Sequence, residues 1–374
     1  MAPPPPPPLV DDVTAEILLR LPPDEPEHLI RAALVCKPWL RVICDAGFRR
    51  SYRDFHGAPP LLGFLHRLMV FQGDPTARFA STTSMPEFPH PGSGGRRTRP
   101  LDCRHGRVLI HMLPGFLVWD PVTGDRHHLP PEPEEIDWLI YSAAVLCAAD
   151  GCDHLDCRGG PFRVVFAATH EDKDIILASV YSSETGEWSL PMDPLGRFYT
   201  PYLQPRRGAL VGDAVYFTVR RGNAIAKYDL GKDRLSMIDP PQHCLVHGIA
   251  VTAVENYTSL GFTCIQGSTL HTWSRKVDTE DTAEWVQYRV IELEKTIHVA
   301  NPQDELSVVG FAEGVGVIFV SSGAGLFMIK LNSGQVNKVD GPGEYFSVLP
   351  YMSFYLPKTG NGGGHDATDL LHST

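Results

Sequence analysis

The sequence predicts an α+β multidomain protein. Three to four helices fill residues 9–56, and an all-β propeller of about six blades follows over residues 60–357. Three observations carry this reading. Apolar residues at helical spacing fill the first stretch. From Leu61 onward, short runs rich in β-branched and aromatic residues alternate with Gly- and Asp-containing turns. Within those runs one strand–turn–strand unit recurs at the spacing of a propeller blade.

The chain has 374 residues, of which 43% are hydrophobic and 21% charged, enough for two domains or one large repeat domain. Its 34 Gly and 33 Pro imply frequent turns. Residues 1–8, Met-Ala followed by Pro3 to Pro8, read as a disordered Pro-rich leader in polyproline II form, with an SH3 or WW ligand as the alternative. They lack the basic and apolar regions of a signal peptide. No apolar run approaches the ~18 residues of a membrane span. The net charge of −11 and pI near 5.8 argue against nucleic acid and anionic membranes as partners. Eight cysteines without a secretory leader are expected to be free thiols, in the cytoplasm and/or nucleus. Residues 358–374, TGNGGGHDATDLLHST preceded by Lys358, have too few core-forming side chains to fold and are expected to be disordered.

In the helical stretch, Asp11 or Asp12 is expected to cap a first helix, with Val13, Ile17 and Leu21 on one face. Pro22 and Pro23 end it. Asp24 with Glu27 reads as a capping-box variant, with Pro26 in the first turn. Leu29, Ala33 and Cys36 form one stripe of the second helix, Ile30 and Leu34 another. That is more apolar surface than one packing partner needs. Pro38 opens a third helix bearing Trp39, Val42 and Ile43. Asp45 caps a fourth, with Phe48, Tyr52 and Phe55.

These residues resemble an F-box. The run Leu9, Asp12, Ile17-Leu18, Arg20-Leu21-Pro22, Leu29, Val35-Cys36-Lys37, Trp39, Ile43, Asp45 and Phe48 follows the family's leucine-proline start, IL-x-x-LP helix, VCK-x-W helix and terminal phenylalanine. Val10 departs from it, standing where the family has proline. The other reading of the stretch is a local helical cap over the rest of the chain.

Strands are expected at 61–71, 106–113, 162–169, 175–181, 213–219, 315–321 and 325–331. The repeat ends an apolar strand on an aromatic-polar pair, then turns through glycine. Its copies hold Trp119-Asp120 with Gly124, Tyr181-Ser182 with Gly186, Tyr228-Asp229 with the glycine moved to Gly231, Trp273-Ser274 with a longer acidic turn, and Ile329-Lys330 with Gly334. They lie 62, 47, 45 and 56 residues apart. Strands at 118, 180, 227, 272 and 328 should therefore hold equivalent blade positions. Residues 345–356 should close the ring against 61–71. The pattern is similar to the kelch-like propeller of plant F-box proteins with an F-box-associated domain. A β-sandwich is the alternative, with a less regular cycle.

Cys147, Cys152, His154 and Cys157, with Asp153 and Asp156, offer zinc-type ligands. Their C-x4-C-x4-C spacing exceeds that of a knuckle. The reading is therefore a loop with spare thiols and no metal, with structural zinc as the alternative. His127-His128 and His170-Glu171-Asp172 read as solvated turn residues. Arg96, Arg97, Arg99, Arg104 and Arg107, with His105, read as solvated loop charge after the stretch 90–95, or as a surface for an acidic partner. No nucleophile, phosphate-loop or zinc-protease motif is present.

The resemblance implies a non-catalytic substrate-recognition subunit of a Skp1–cullin–F-box ubiquitin ligase that needs no cofactor. The helices would dock on a Skp1-like adaptor and through it a cullin. The propeller would hold an unidentified target protein. It implies Leu9, Ile17, Leu21, Pro22, Leu29, Val35, Cys36 and Trp39 as Skp1 contacts, some of which must be internal packing. The two domains are expected to have separate cores. A kelch-like propeller enzyme, or an F-box binding module outside a ligase, are the alternatives.

Overall fold

The computed structural model describes residues 10–357 apart from 69–77, 86, 89–97, 113–114, 133–137, 156, 171–172, 174, 191–201, 221–223, 242–248, 255–257, 278–282, 295–296, 298–304 and 344. The leader, Leu9, the tail, residues 90–95, Arg96, Arg97, Asp156, Glu171 and Asp172 lie outside the described residues.

Four helices come first: α1 (Asp11–Leu18), α2 (Pro26–Val35), α3 (Lys37–Cys44) and α4 (Ala46–His56). Asp45 caps α4, its carboxylate accepting from the Phe48 N–H at 3.0 Å. The other expected caps are corrected. Val10 precedes α1 without a side-chain cap, and Asp11 and Asp12 instead place negative charge in the first turn. Glu25, not Asp24, is the N-cap of α2, also without a side-chain bond, because Pro26 fixes the helix start one residue later. Helix α1 ends at Leu18, so Leu21 lies beyond it.

From Leu61 the described elements are all strands, in six antiparallel sheets. Five are complete blades with strands in chain order. The first runs Thr98–Arg104, Arg107–Met112, Gly115–Trp119, Arg126–Leu129; the second Trp138–Cys147, Phe162–His170, Ile176–Ser182, Glu187–Trp188. The third holds Ala209–Val211, Ala214–Arg220, Ala224–Asp229 and Arg234–Ile238, with Tyr202–Leu203 added beside the second of these. The fourth is Ala250–Val254, Ser259–Gln266, Thr269–Val277, Ala283–Glu292; the fifth Ser307–Ala312, Val317–Ser322, Gly325–Lys330, Val336–Asp340. Residues 118, 180, 227, 272 and 328 all fall on third strands, as the repeat predicts.

The sixth blade closes the ring. Leu61–Leu68 pairs with Tyr345–Met352, Leu65 opposite Leu349, and with Arg78–Ser81 on its other side. Six apolar clusters confirm closure, each shared by two successive blades. Leu109 and Phe116 meet Val164 and Phe166; Val165 meets Phe217; Ile225 meets Phe262; Leu270 meets Ile318; Phe319 meets Phe64 and Val348; and Leu65 with Tyr351 meets Val108 and Leu117. A sandwich would instead share one core between two sheets.

The repeated turn has a fixed geometry. Gly124, Gly186 and Gly334 have φ of 76°, 75° and 69°. Each donates its N–H, at 2.8 Å, to the carbonyl of the residue after the repeat's aromatic or apolar position: Asp120, Ser182 and Lys330. In the third blade the left-handed position does not move with Gly231. It stays five residues after Tyr228, on Asp233 at φ 52°. The Tyr228 hydroxyl donates to the Asp233 carboxylate, which helps hold that conformation.

The helical core is not separate. Leu18, Leu29, Ala33, Ile43, Phe48 and Tyr52 are buried together with Phe354 and Leu356, which follow the closing strand. The expectation of independent cores is thereby corrected. Four short helices expose too much apolar surface to close a core alone, and the segment after the closing strand supplies further side chains.

Candidate functional site

The helices turn one apolar face inward and leave a second uncovered. In α1, Thr14 and Leu18 point into the core, while Val13 and Ile17 are 44% and 49% exposed. In α2, Leu29, Ile30, Ala32 and Ala33 are buried, while Leu34 and Val35 are 46% and 63% exposed. Pro22 and Cys36 are exposed beside them. On each helix the exposed apolar residues are close together, Val13 and Ile17 one turn apart and Leu34 and Val35 adjacent, and uncovered apolar groups of this kind are candidates for docking.

The residues named from sequence therefore divide. Ile17, Pro22, Val35 and Cys36 are exposed. Leu29 is 2% exposed and belongs to the core. Leu21 and Trp39 are half-buried against that core. Leu9 is outside the described residues. Sequence reading did not name Val13 and Leu34 as contacts; the available signal was helical phase, since each stands five residues, about 140°, from a core residue, Leu18 and Leu29 respectively.

At the junction of helices and propeller, a cavity of about 550 Å³ is lined by Arg53, His105, His154, Arg158, Glu313 and Phe354 among others. Arg158 fixes one wall: its Nη2 donates to Ser353 Oγ at 2.7 Å and to the Phe354 carbonyl at 2.8 Å. Its Nε pairs with Asp120 at 3.3 Å. Leu155 packs against the helical core from the propeller side.

The loop carrying Leu155 also carries the cysteines. Cys147 ends the inner strand of the second blade, and the ligating atoms of Cys147, Cys152, His154 and Cys157 all lie within 4.8 Å of one another. Cys152 Sγ is 3.6 Å from Cys157 Sγ, which is 3.5 Å from His154 Nδ1. Burial, then the neighbouring Cys147 thiol, push the Cys157 thiol well above its ordinary pKa. The His105 and His154 rings stack at 4.3 Å and 2°. Burial and the charge of Arg104 lower His105 to a pKa of about 2, so that ring is neutral.

The expected solvated basic cluster is corrected where it is described. Arg104 and Arg107 are buried. Arg104 pairs with Asp102 at 3.2 Å and donates to the Gly208 carbonyl at 2.8 Å. Arg207 joins Asp102 at 2.9 Å to Glu313 at 3.0 Å. Burial opposes the charge on Arg207, but Glu313 and Asp102 outweigh it and hold the guanidinium above its ordinary pKa. Arg99 lies over the Tyr141 ring. His170 is buried, not solvated, whereas His127 and His128 are exposed as expected.

Two family profiles match the chain. "F-box domain" covers residues 8–51. "F-box protein AT5G49610-like, beta-propeller" covers residues 100–358, more than half of the chain. The chain belongs to this family of F-box propeller proteins. F-box protein At5g03970 of Arabidopsis thaliana is 27% identical over 256 residues, 62% of this chain and 57% of that protein. F-box protein At4g22390 of the same plant is 24% identical over 304 residues, 75% of this chain and 73% of that protein. The chain thus spans little more than half of the first relative's length. A chain in the crystal structure of a nidogen/laminin complex aligns over 78% of this chain and 98% of its own, with 10% identity and a TM-score of 0.42. The matched F-box segment coincides with α1 to α3 and the start of α4, so the open apolar face is an F-box face.

Proposed function

We propose that this F-box protein is the substrate-recognition subunit of a Skp1–cullin–F-box ubiquitin ligase. The observation that carries the reading is the exposure of the apolar Val13, Ile17, Leu34 and Val35 on helices the family profile marks as an F-box. A Skp1-like adaptor would bury that face and bring a cullin with it. The propeller would hold a target protein, so that a ubiquitin-carrying enzyme meets the target's lysines at high effective concentration. The role asks for no reacting group in this chain; the gain is proximity. Among the described residues no helix is long and apolar enough to cross a membrane, and the reading places the protein in the cytoplasm and/or nucleus.

The test is capture of a purified Skp1-like adaptor by the full chain, compared with Ile17→Asp/Val35→Asp. Both positions are exposed, so the variant should fold normally and lose capture. Undiminished capture would reject this face as the docking surface.

A further inference from the structure

We propose that Cys147, Cys152, His154 and Cys157 bind one Zn²⁺ in a structural Cys3His site that fastens the loop by which Leu155 of the propeller meets the helical core. The donors are of the right kind: three thiols and an imidazole select zinc among the abundant divalent ions. All four ligating atoms lie within 4.8 Å of one another, and two of the pairs are already at ligand spacing. With Zn–S of ~2.3 Å and Zn–N of ~2.0–2.1 Å, tetrahedral ligands stand about 3.8 Å apart sulfur to sulfur and about 3.6 Å sulfur to nitrogen. The structure has 3.6 Å between Cys152 and Cys157 and 3.5 Å between Cys157 and His154. A disulfide would need its sulfurs at about 2.05 Å.

The sequence spacing, which argued against zinc, loses its force in three dimensions. Cys147 need not lie in a knuckle, because the loop returns to it: Ala148 N–H donates to the Pro161 carbonyl at 3.0 Å, closing the loop's base. The short-spaced pair is His154 and Cys157, with two residues between them. Winding three ligands toward the fourth takes left-handed backbone at Gly151, His154 and Gly159, with φ of 62°, 60° and 69°. For His154, a non-glycine, that conformation must be held by something. The His154 N–H donates to Cys152 Sγ at 3.4 Å, the kind of support a metal-bound thiolate receives.

The loop needs a staple. Between Ala148 and Cys157 its only large apolar side chain is Leu155, and that side chain packs into the helical core rather than into the loop. Arg107 holds the far side, donating to the Cys157 and Gly160 carbonyls at 2.5 and 2.6 Å. Zinc would bind with release of three thiol protons to solvent, leaving neutral His154 as the fourth ligand. Leu155 sits between two ligands and Arg158 follows the last. The ion would therefore set how the F-box is carried relative to the propeller axis.

The experiment uses the full chain, produced with zinc in the medium and purified under a phosphine reductant without chelators. Plasma mass spectrometry should find about one zinc ion per chain, and Cys152→Ser/Cys157→Ser should bring it to background. Should that variant be insoluble, the wild-type protein carries the test. Bound zinc should protect Cys147, Cys152 and Cys157 from iodoacetamide while exposed Cys36 reacts, and Co²⁺ in its place should give thiolate charge-transfer absorption. No zinc above background, zinc undiminished in the variant, equal alkylation of all four cysteines, or a Cys152–Cys157 disulfide in the unreduced peptide map would each overturn the proposal.

Discussion

Tyr52 of α4 and Phe354, beyond the closing strand, meet edge to face with ring centroids 6.1 Å apart at 78°. One ring belongs to the F-box and the other to the end of the propeller, so the two units share this contact. Tyr52 is further tied by its hydroxyl, which donates to the Leu21 carbonyl at 2.8 Å. The segment after the closing strand thus enters the helical core.

Phe354→Ala should destabilise the helical unit by about 3–5 kcal/mol, the usual cost of emptying a buried phenylalanine site. Hydrogen exchange read peptide by peptide should show loss of protection over residues 11–56, with the blade strands unchanged. Equal loss in helices and blades would mean that the whole molecule unfolds as one unit.

Two double variants should separate docking from folding. Leu21→Ala/Trp39→Ala removes half-buried side chains, so it should weaken Skp1 capture and also lower the thermal midpoint. Ile17→Asp/Val35→Asp should weaken capture a hundredfold or more, about 2.7 kcal/mol, with the midpoint unchanged. Calorimetry beside the binding assay checks both. If the exposed pair lowers the midpoint as much as the buried pair, the helices serve as a cap on the propeller.

The repeated turns offer a contrast in sign. Gly186 lies at φ 75° with open space around it, so Gly186→Ala should cost about 1–2 kcal/mol from backbone strain alone. Gly231 has no positive φ, and the nearest atom to an added Cβ is 3.7 Å away. Gly231→Ala should therefore be neutral or stabilise by about 0.4–1 kcal/mol through the unfolded chain. Chemical denaturation midpoints of the two variants decide the matter.

The blade cycle was legible because in four of the blades a large side chain at or next to the end of the third strand, Trp119, Tyr181, Tyr228 or Ile329, stands five residues before a left-handed turn residue. The residue type at the turn was less legible than its position: Asp233 serves where glycine does elsewhere, because its carboxylate can be bonded by Tyr228. The helix caps were misread where proline, not an acidic side chain, set the helix start. Burial of Leu29 against exposure of Val35 could not be read either, since α2 is apolar around most of its circumference. The shared helical core and the arginine network were out of reach for another reason. Asp102 and Arg207 are 105 residues apart, and only the packing of successive blades brings them together.

That network carries the last prediction. The Asp102 carboxylate is fully buried and accepts from the Cys103 and Val145 N–H groups at 2.8 and 2.9 Å, as well as from Arg104 and Arg207. Glu313 accepts from the Ala253 N–H at 3.0 Å and from Arg207. Inner strands of three blades, the residue that follows the inner strand of the fifth, and the segment before the third are thereby joined through two acids and two arginines whose formal charges cancel. Asp102→Asn keeps the shape but removes one negative charge, leaving two buried guanidiniums to share Glu313. Removing one partner of a buried pair typically costs about 3–5 kcal/mol, because the remaining charge is uncompensated. The variant should therefore lose thermal stability far beyond an isosteric change at the surface. Asp102→Asn combined with Arg104→Met should recover part of the loss, since it restores neutrality. A double variant no more stable than Asp102→Asn would mean that the carboxylate's hydrogen bonds to the two backbone N–H groups, and not charge balance, are what hold the blades together.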